Sequence, residues 1–114
     1  MGRGRFPGEF EQVVLLALAG LNRPASGREV YERIVGTAGR EPSVAAIHIT
    51  LGRMLEKGWV SRETSPPDPR TGGKPRHAYE LSEDGARVLA EQRRHLDRLW
   101  DSAARHPLFG GSEG

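Results

Sequence analysis

Two short helices with clear start and stop signals, close together in the middle of the chain, most constrain its fold. Ser26-Gly27-Arg28-Glu29 is a Ser-x-x-Glu capping box, which predicts a helix running to about Thr37. Ser43 is a good N-cap for the next helix, residues 43–57, and Gly58 is the residue type that usually ends a helix in the left-handed C′ position. Because only residues 39–42 connect the two, the segment predicts a helix-turn-helix unit.

The flanking segments predict one earlier helix, a β-hairpin and a final long helix. Residues 9–21 carry apolar side chains at helical spacing. Residues 59–64 alternate, residues 65–75 hold four prolines and two glycines, and residues 76–81 can form the return strand. Ser82 caps a helix that we expect to reach about Arg105. The fold class is therefore mainly α with a small β-hairpin.

The length of 114 residues suits one domain, and its positive charge is unevenly distributed. Residues 1–81 carry 12 Lys or Arg against 9 Asp or Glu, whereas residues 82–114 carry 5 against 6. We expect a flexible basic arm at residues 1–8, a helix-turn-helix and hairpin domain at 9–81, a long helix at 82–106 and a polar tail at 107–114.

The second helix of the unit has two distinct faces. Val44, Ile47, Leu51, Met54 and Leu55 form an arc that predicts the core side. Small or polar residues lie on the outward face and its flanks, and small side chains there suit a helix that enters the DNA major groove. The predicted DNA contacts are Ser43, Ala45, Ala46, His48, Ile49, Thr50 and Arg53. Two alternatives remain: an ordinary core helix with a bland surface, and a protein contact through Ile49.

The hairpin carries basic residues at its tip and return strand. Arg70, Lys74 and Arg76, with His77 beside them, form a cluster without an acid among them, which suits contact with DNA phosphates. The alternative is a solvated run of surface charge.

Three sequence blocks, in this order, resemble the PadR family of bacterial regulators. They are Glu9-Phe10-Glu11-Gln12-Val13-Val14-Leu15-Leu16-Ala17-Leu18, the segment 43–60, and Gly73-Lys74-Pro75-Arg76-His77-Ala78-Tyr79-Glu80-Leu81-Ser82, within about residues 8–90. The resemblance implies a winged helix-turn-helix fold and a homodimeric repressor, and some relatives release DNA on binding small aromatic compounds. The chain departs from the family pattern at His48, Ile49, Arg28 and Ala78.

The final helix predicts a dimer interface. Its apolar stripe is longer than so small a domain can cover, and pairing with a second copy would place two helix-turn-helix units about 34 Å apart on a palindromic operator. Trp100 can stack a planar aromatic ligand at this seam or simply fill it. The predicted interface residues are Phe10, Val14, Leu89, Gln92, Leu96, Leu99, Trp100 and Ala103.

The remaining residues exclude several function classes. The chain has no cysteine, its four histidines lack ligand spacing, and no catalytic or nucleotide-binding motif occurs, so we expect no metal, cofactor or enzyme activity. The longest apolar run is about half of a membrane span, which predicts a cytoplasmic protein without a membrane partner. The sequence favours the hypothesis of a DNA-binding transcriptional regulator, and the alternative is a winged-helix module that binds another protein.

Overall fold

The computed structural model describes residues 6–70 and 72–110. Along the chain it has α1 (Glu9–Leu21), α2 (Gly27–Ala38), α3 (Val44–Lys57), β1 (Val60–Ser65), β2 (Arg76–Leu81), α4 (Glu83–Ala103) and a short 3-10 helix, Pro107–Phe109. This order and these element types confirm the fold class predicted from the sequence.

Serine caps start three of the helices, as the sequence predicts. The Ser26 hydroxyl accepts a hydrogen bond from the Glu29 backbone N–H at 3.2 Å, and the Ser26 N–H donates to the Glu29 carboxylate at 2.9 Å. The hydroxyls of Ser43 and Ser82 cap α3 and α4 by accepting the backbone N–H groups of Ala46 and Gly85. Gly58 ends α3 at φ 79°, a left-handed backbone that favours glycine, and so fixes where the chain turns into β1.

The core lies between the first three helices and the base of the hairpin. Most of its fully buried side chains belong to α1, α2 and α3, and Trp59 and Tyr79 at the hairpin and Val88 and Leu89 of α4 close it. The largest are Leu15, Leu18, Ile47, Leu51, Met54, Val14 and Val30. The core therefore holds the helix-turn-helix unit and the hairpin in one body.

The hairpin is a two-stranded antiparallel sheet, and a single residue outside it forms a β-bridge to its second strand. β1 and β2 pair from Val60 opposite Leu81 to Ser65 opposite Arg76. Ala25 also exchanges two backbone hydrogen bonds with Tyr79, at 2.9 and 2.8 Å. Because one residue gives no alternating pattern, this bridge between the α1–α2 connection and β2 has no signal in the sequence.

The first half of α4 is packed and its second half projects away. Gly85, Val88 and Leu89 are buried, whereas every residue from Arg93 to Ser102 is exposed. The radius of gyration is 17.4 Å, against about 13 Å for a compact domain of this length. Among the described residues, no helix is both long and apolar enough to cross a membrane.

Both chain ends differ from the expected flexible segments where the structure describes them. Pro7 is buried, its carbonyl accepts a hydrogen bond from Gln92 at 2.8 Å, and Phe6 packs edge-on against His95. At the other end, Phe109 packs edge-on against Trp100 with ring centroids 5.5 Å apart. Residues 6 and 7 thus contact α4 directly, whereas residues 107–110 stay exposed and Phe109 contacts Trp100. The rest of the expected arm and tail lies outside the described residues.

Candidate nucleic-acid interface

The outward face of α3 is exposed and has few charges. Ala45, His48, Ile49 and Arg53 point to solvent, and 59% of the Ile49 surface is accessible. Ser43 is exposed and caps the helix through Ala46, which is half-buried. Helix α3 therefore offers a surface with little side-chain bulk that can approach another molecule closely.

Two assignments on α3 were wrong. Thr50 is only 5% exposed and belongs to the buried stripe, so its side chain is not on the outward face. Val44, expected in the core, is 37% exposed. The buried stripe is Ile47, Thr50, Leu51 and Met54, which is centred closer to Thr50 than the apolar pattern indicated, and Val44 lies in the first turn at the edge of the domain.

The hairpin tip, residues 66–75, contains an acid that the sequence interpretation left out. The Arg70 N–H donates to the Asp68 carboxylate at 2.9 Å, and the Arg70 guanidinium lies 3.5 Å from the same oxygen. Asp68 therefore offsets part of the charge of Arg70. Lys74 and Arg76 are exposed beyond this turn, with Arg76 at the first position of β2.

A cleft of about 630 Å³, here named the α2–wing cleft, joins α2, α3 and the hairpin. Its walls are formed by residues 26–29, by His48, and by Ser65 with residues 75–79. Of the predicted DNA contacts, it brings His48 and Arg76 together, while Arg70 and Lys74 lie outside it. Arg28 and His77 also line it and were not among the predicted contacts. For Arg28, the sequence did contain a signal: the capping box places this residue in the first turn of α2.

Close packing fixes one wall of this cleft. A Cβ on Gly27 would lie 2.6 Å from Cε1 of His48, so only glycine leaves room for the imidazole where it is. Beside it, Arg23 lies 2.8 Å from the Glu29 carboxylate. This hydrogen bond, with those from Ser26, lowers the pKa of Glu29, and the same pair raises the pKa of Arg23. The carboxylate at the cleft is thus already engaged.

The predicted dimer residues divide into exposed and buried sets. Leu96, Leu99 and Trp100 are exposed by 42%, 65% and 59%, and Ala103 is half-buried. Val14 is fully buried and Leu89 is 8% exposed, so assigning these two to an interface was wrong; they fill the protomer's own core.

The two remaining dimer residues have contacts within the chain. Phe10 is half-buried under the guanidinium of Arg40, which lies 5.4 Å from the ring centroid. Gln92 donates to Pro7, and its Oε1 is buried without a hydrogen-bond partner among the described residues. A groove of about 550 Å³ lies between α1 and α4, with Leu16 and Trp100 on its two walls.

The four helices, the hairpin that follows α3 and the exposed outward face of α3 define a winged helix-turn-helix protein, in which the hairpin is the wing. A scan against protein-family models and a search of curated proteins find no match for the chain.

Solved structures share this fold. A PadR family transcriptional regulator from Eggerthella lenta DSM 2243 is 24% identical, with 85% of this chain and 84% of that chain covered and a TM-score of 0.68. A PadR-like transcription factor from Bacteroides fragilis is 20% identical, with 84% and 87% covered and a TM-score of 0.72. Bacillus subtilis PadR in complex with operator DNA is 15% identical, with 73% of this chain and 46% of that chain covered and a TM-score of 0.62. The chain therefore has the PadR-type winged-helix fold, and none of these three is named as an enzyme.

Proposed function

We propose that the protein is a sequence-specific DNA-binding transcriptional regulator of the PadR type. The observation that carries the proposal is the exposed outward face of α3 beside a wing that bears Lys74 and Arg76. The shared fold supports it, since one solved structure of that fold contains operator DNA.

Base readout on this surface rests on few groups. With Ala45 and Gly52 on the outward side, the backbone of α3 can lie deep in the major groove. Ile49 then meets thymine methyl groups, and Arg53 reaches a guanine edge or a phosphate. The wing supplies contacts to the flanking phosphates, which position the protein without reading sequence.

We propose further that the protein is a homodimer formed through α4. Leu96, Leu99 and Trp100 expose large apolar surfaces on the projecting half of α4, even though Phe109 packs against Trp100. Two copies would read a palindromic operator in the cytoplasm and act as a repressor.

A small aromatic effector is part of this proposal. A pocket of about 200 Å³ is lined by Leu96, Leu99, Trp100, Ala103 and Phe109 and lies on the proposed interface. A planar ligand stacked there would compete with dimer contacts. Titration of aromatic compounds against tryptophan fluorescence tests this: the response should vanish in Trp100→Ala, and an unchanged response in the variant would remove Trp100 from the site.

The DNA-binding proposal is tested by fluorescence anisotropy on a duplex from the promoter region next to the coding gene. Affinity should fall steeply with salt, by about tenfold or more for a fourfold rise in concentration, because phosphate contacts release counterions. Arg53→Ala should cost about 1–3 kcal/mol on the cognate duplex and relax base preference, while Lys74→Ala should weaken all duplexes alike.

The matched control is Arg94→Ala, which removes an exposed arginine from α4, away from α3 and the wing. Its affinity for DNA should equal that of the wild type. Binding that ignores salt, or that falls equally in all three variants, would contradict the proposed surface.

A protein-binding winged helix is the second candidate, because Ile49 is a large apolar side chain on an otherwise small-residue face. It would be favoured if no duplex binds at low salt while a partner protein is retained at high salt and lost in Ile49→Ser.

A further inference from the structure

The α2–wing cleft collects ionisable side chains that base readout does not use. Four elements line it, and α2, α3 and β2 each contribute at least one such group. Its charged or titratable groups are Arg28 and Glu29 from α2, His48 from α3, and Arg76, His77 and Tyr79 from β2.

These groups leave the cleft suited to an anion. Glu29 is occupied by Arg23 and by the Ser26 N–H. Arg28 contacts Glu32 only at 3.5 Å and on the surface, where such a pair is weak. Tyr79 is buried, so the side chains that can turn into the open cleft are two arginines and two imidazoles.

Both imidazoles are placed so that they can carry a proton and still face a ligand. His77 and Tyr79 lie on the same face of β2, and Tyr79 is buried on the helix side, so His77 faces the helices. Its Nδ1 lies 3.0 Å from the Thr64 hydroxyl, which can accept a hydrogen bond from a protonated ring and leave Nε2–H for a ligand. His48 rests against Gly27 at the start of α2.

We propose that the α2–wing cleft binds a DNA backbone phosphate, held by Arg28, Arg76 and the protonated rings of His48 and His77, so that DNA affinity falls as the pH rises through neutrality. This inference rests on the proposed DNA-binding function. Imidazole side chains in general titrate near pH 6.5, and an adjacent anion favours their charged form. Phosphate binding therefore takes up protons, and the affinity gained is complete at low pH and lost as pH rises.

The test measures duplex affinity by anisotropy at constant ionic strength from about pH 6 to about pH 7.5, around the usual titration range of histidine. Each proton taken up contributes up to about tenfold in affinity per pH unit. We expect the wild type to lose about tenfold over this range and H48Q/H77Q to be nearly flat. The chain has four histidines, so H95Q/H106Q is the matched control, and it should keep the wild-type slope.

The outcomes separate this inference from the function on which it rests. If the wild type binds DNA with no dependence on pH, or if H48Q/H77Q shows the same dependence as the wild type, the proposed phosphate binding in the α2–wing cleft is wrong. The DNA-binding proposal would still stand in both cases. No binding to any duplex at any pH contradicts the DNA-binding proposal itself. Circular dichroism of each variant verifies the fold, which should persist because His48 and His77 are both exposed.

Discussion

Gly85→Ala should destabilise the protein at the joint between the wing and α4. A Cβ at this position would lie 2.2 Å from the backbone carbonyl oxygen of Trp59 and 2.9 Å from Leu81 Cδ1. An ordinary contact needs at least 3.4 Å, so α4 would have to move by more than 1 Å away from a rigid backbone atom. The same carbonyl accepts the Ser82 N–H at 3.1 Å, so that bond would be strained too.

The size of the effect follows from two costs and one gain. Overpacking costs about 1–3 kcal/mol, and weakening of the hydrogen bond from the Ser82 N–H to the Trp59 carbonyl costs about 1 kcal/mol, whereas alanine gains up to about 1 kcal/mol of helix propensity over glycine. We expect a net loss of about 2 kcal/mol in the free energy of unfolding, measured by urea denaturation at fixed protein concentration. Fixed concentration matters because a dimer's stability depends on it.

Gly36→Ala is the matched control, since Gly36 lies in α2 with nothing within 4 Å of the added Cβ. There the same substitution should stabilise the protein by about 0.5–1 kcal/mol. Equal effects of the two substitutions, or a Gly85→Ala protein as stable as the wild type, would refute the close approach of α4 to Trp59.

Three more predictions test the cleft, its capping box and α4. Gly27→Ala should leave the free energy of unfolding within about 0.5 kcal/mol of the wild-type value, because the exposed imidazole of His48 can rotate away. The same substitution should weaken DNA binding near pH 6. Unchanged affinity would contradict the proposed role of His48 in the cleft. Since the pKa of Glu29 is lowered in the folded state, its contribution to stability is full at neutral pH and is lost as pH falls through about 4 and below. Urea titrations should therefore show that the free energy of unfolding falls less steeply with acid in Glu29→Gln than in the wild type. Identical pH profiles of the two proteins would contradict this. Trp100→Ala should raise the dimer dissociation constant by at least about tenfold in sedimentation equilibrium, as expected for a buried aromatic anchor, and an unaltered constant would place the interface elsewhere.

Much of the fold could be predicted because local signals and apolar spacing agree. The serine caps and Gly58 fixed helix boundaries to within about one residue, and the run of prolines marked the wing tip. Spacing could not assign Val44 and Thr50, because the edge of a helix stripe depends on which neighbours pack against it.

Side-chain partnerships were beyond the sequence for a different reason. The contact between His48 and Gly27 joins two helices, and the bridge between Ala25 and Tyr79 spans more than fifty positions. The residues next to each member of such a pair in the sequence do not indicate which distant residue it contacts. Val14 and Leu89 were misplaced for the same reason: an apolar residue on a helix looks alike whether its own chain or a second copy covers it.

The bridge between Ala25 and Tyr79 also bears on how such a protein can diversify. It anchors β2 to the helical body a few residues before α4 begins, so a longer or shorter turn at residues 66–75 need not shift the strand. Insertions there would alter the reach of the wing along a duplex while Arg76 and His77 kept their positions. Under the proposed function, the span of DNA contacted could thus evolve separately from the bases that contact α3.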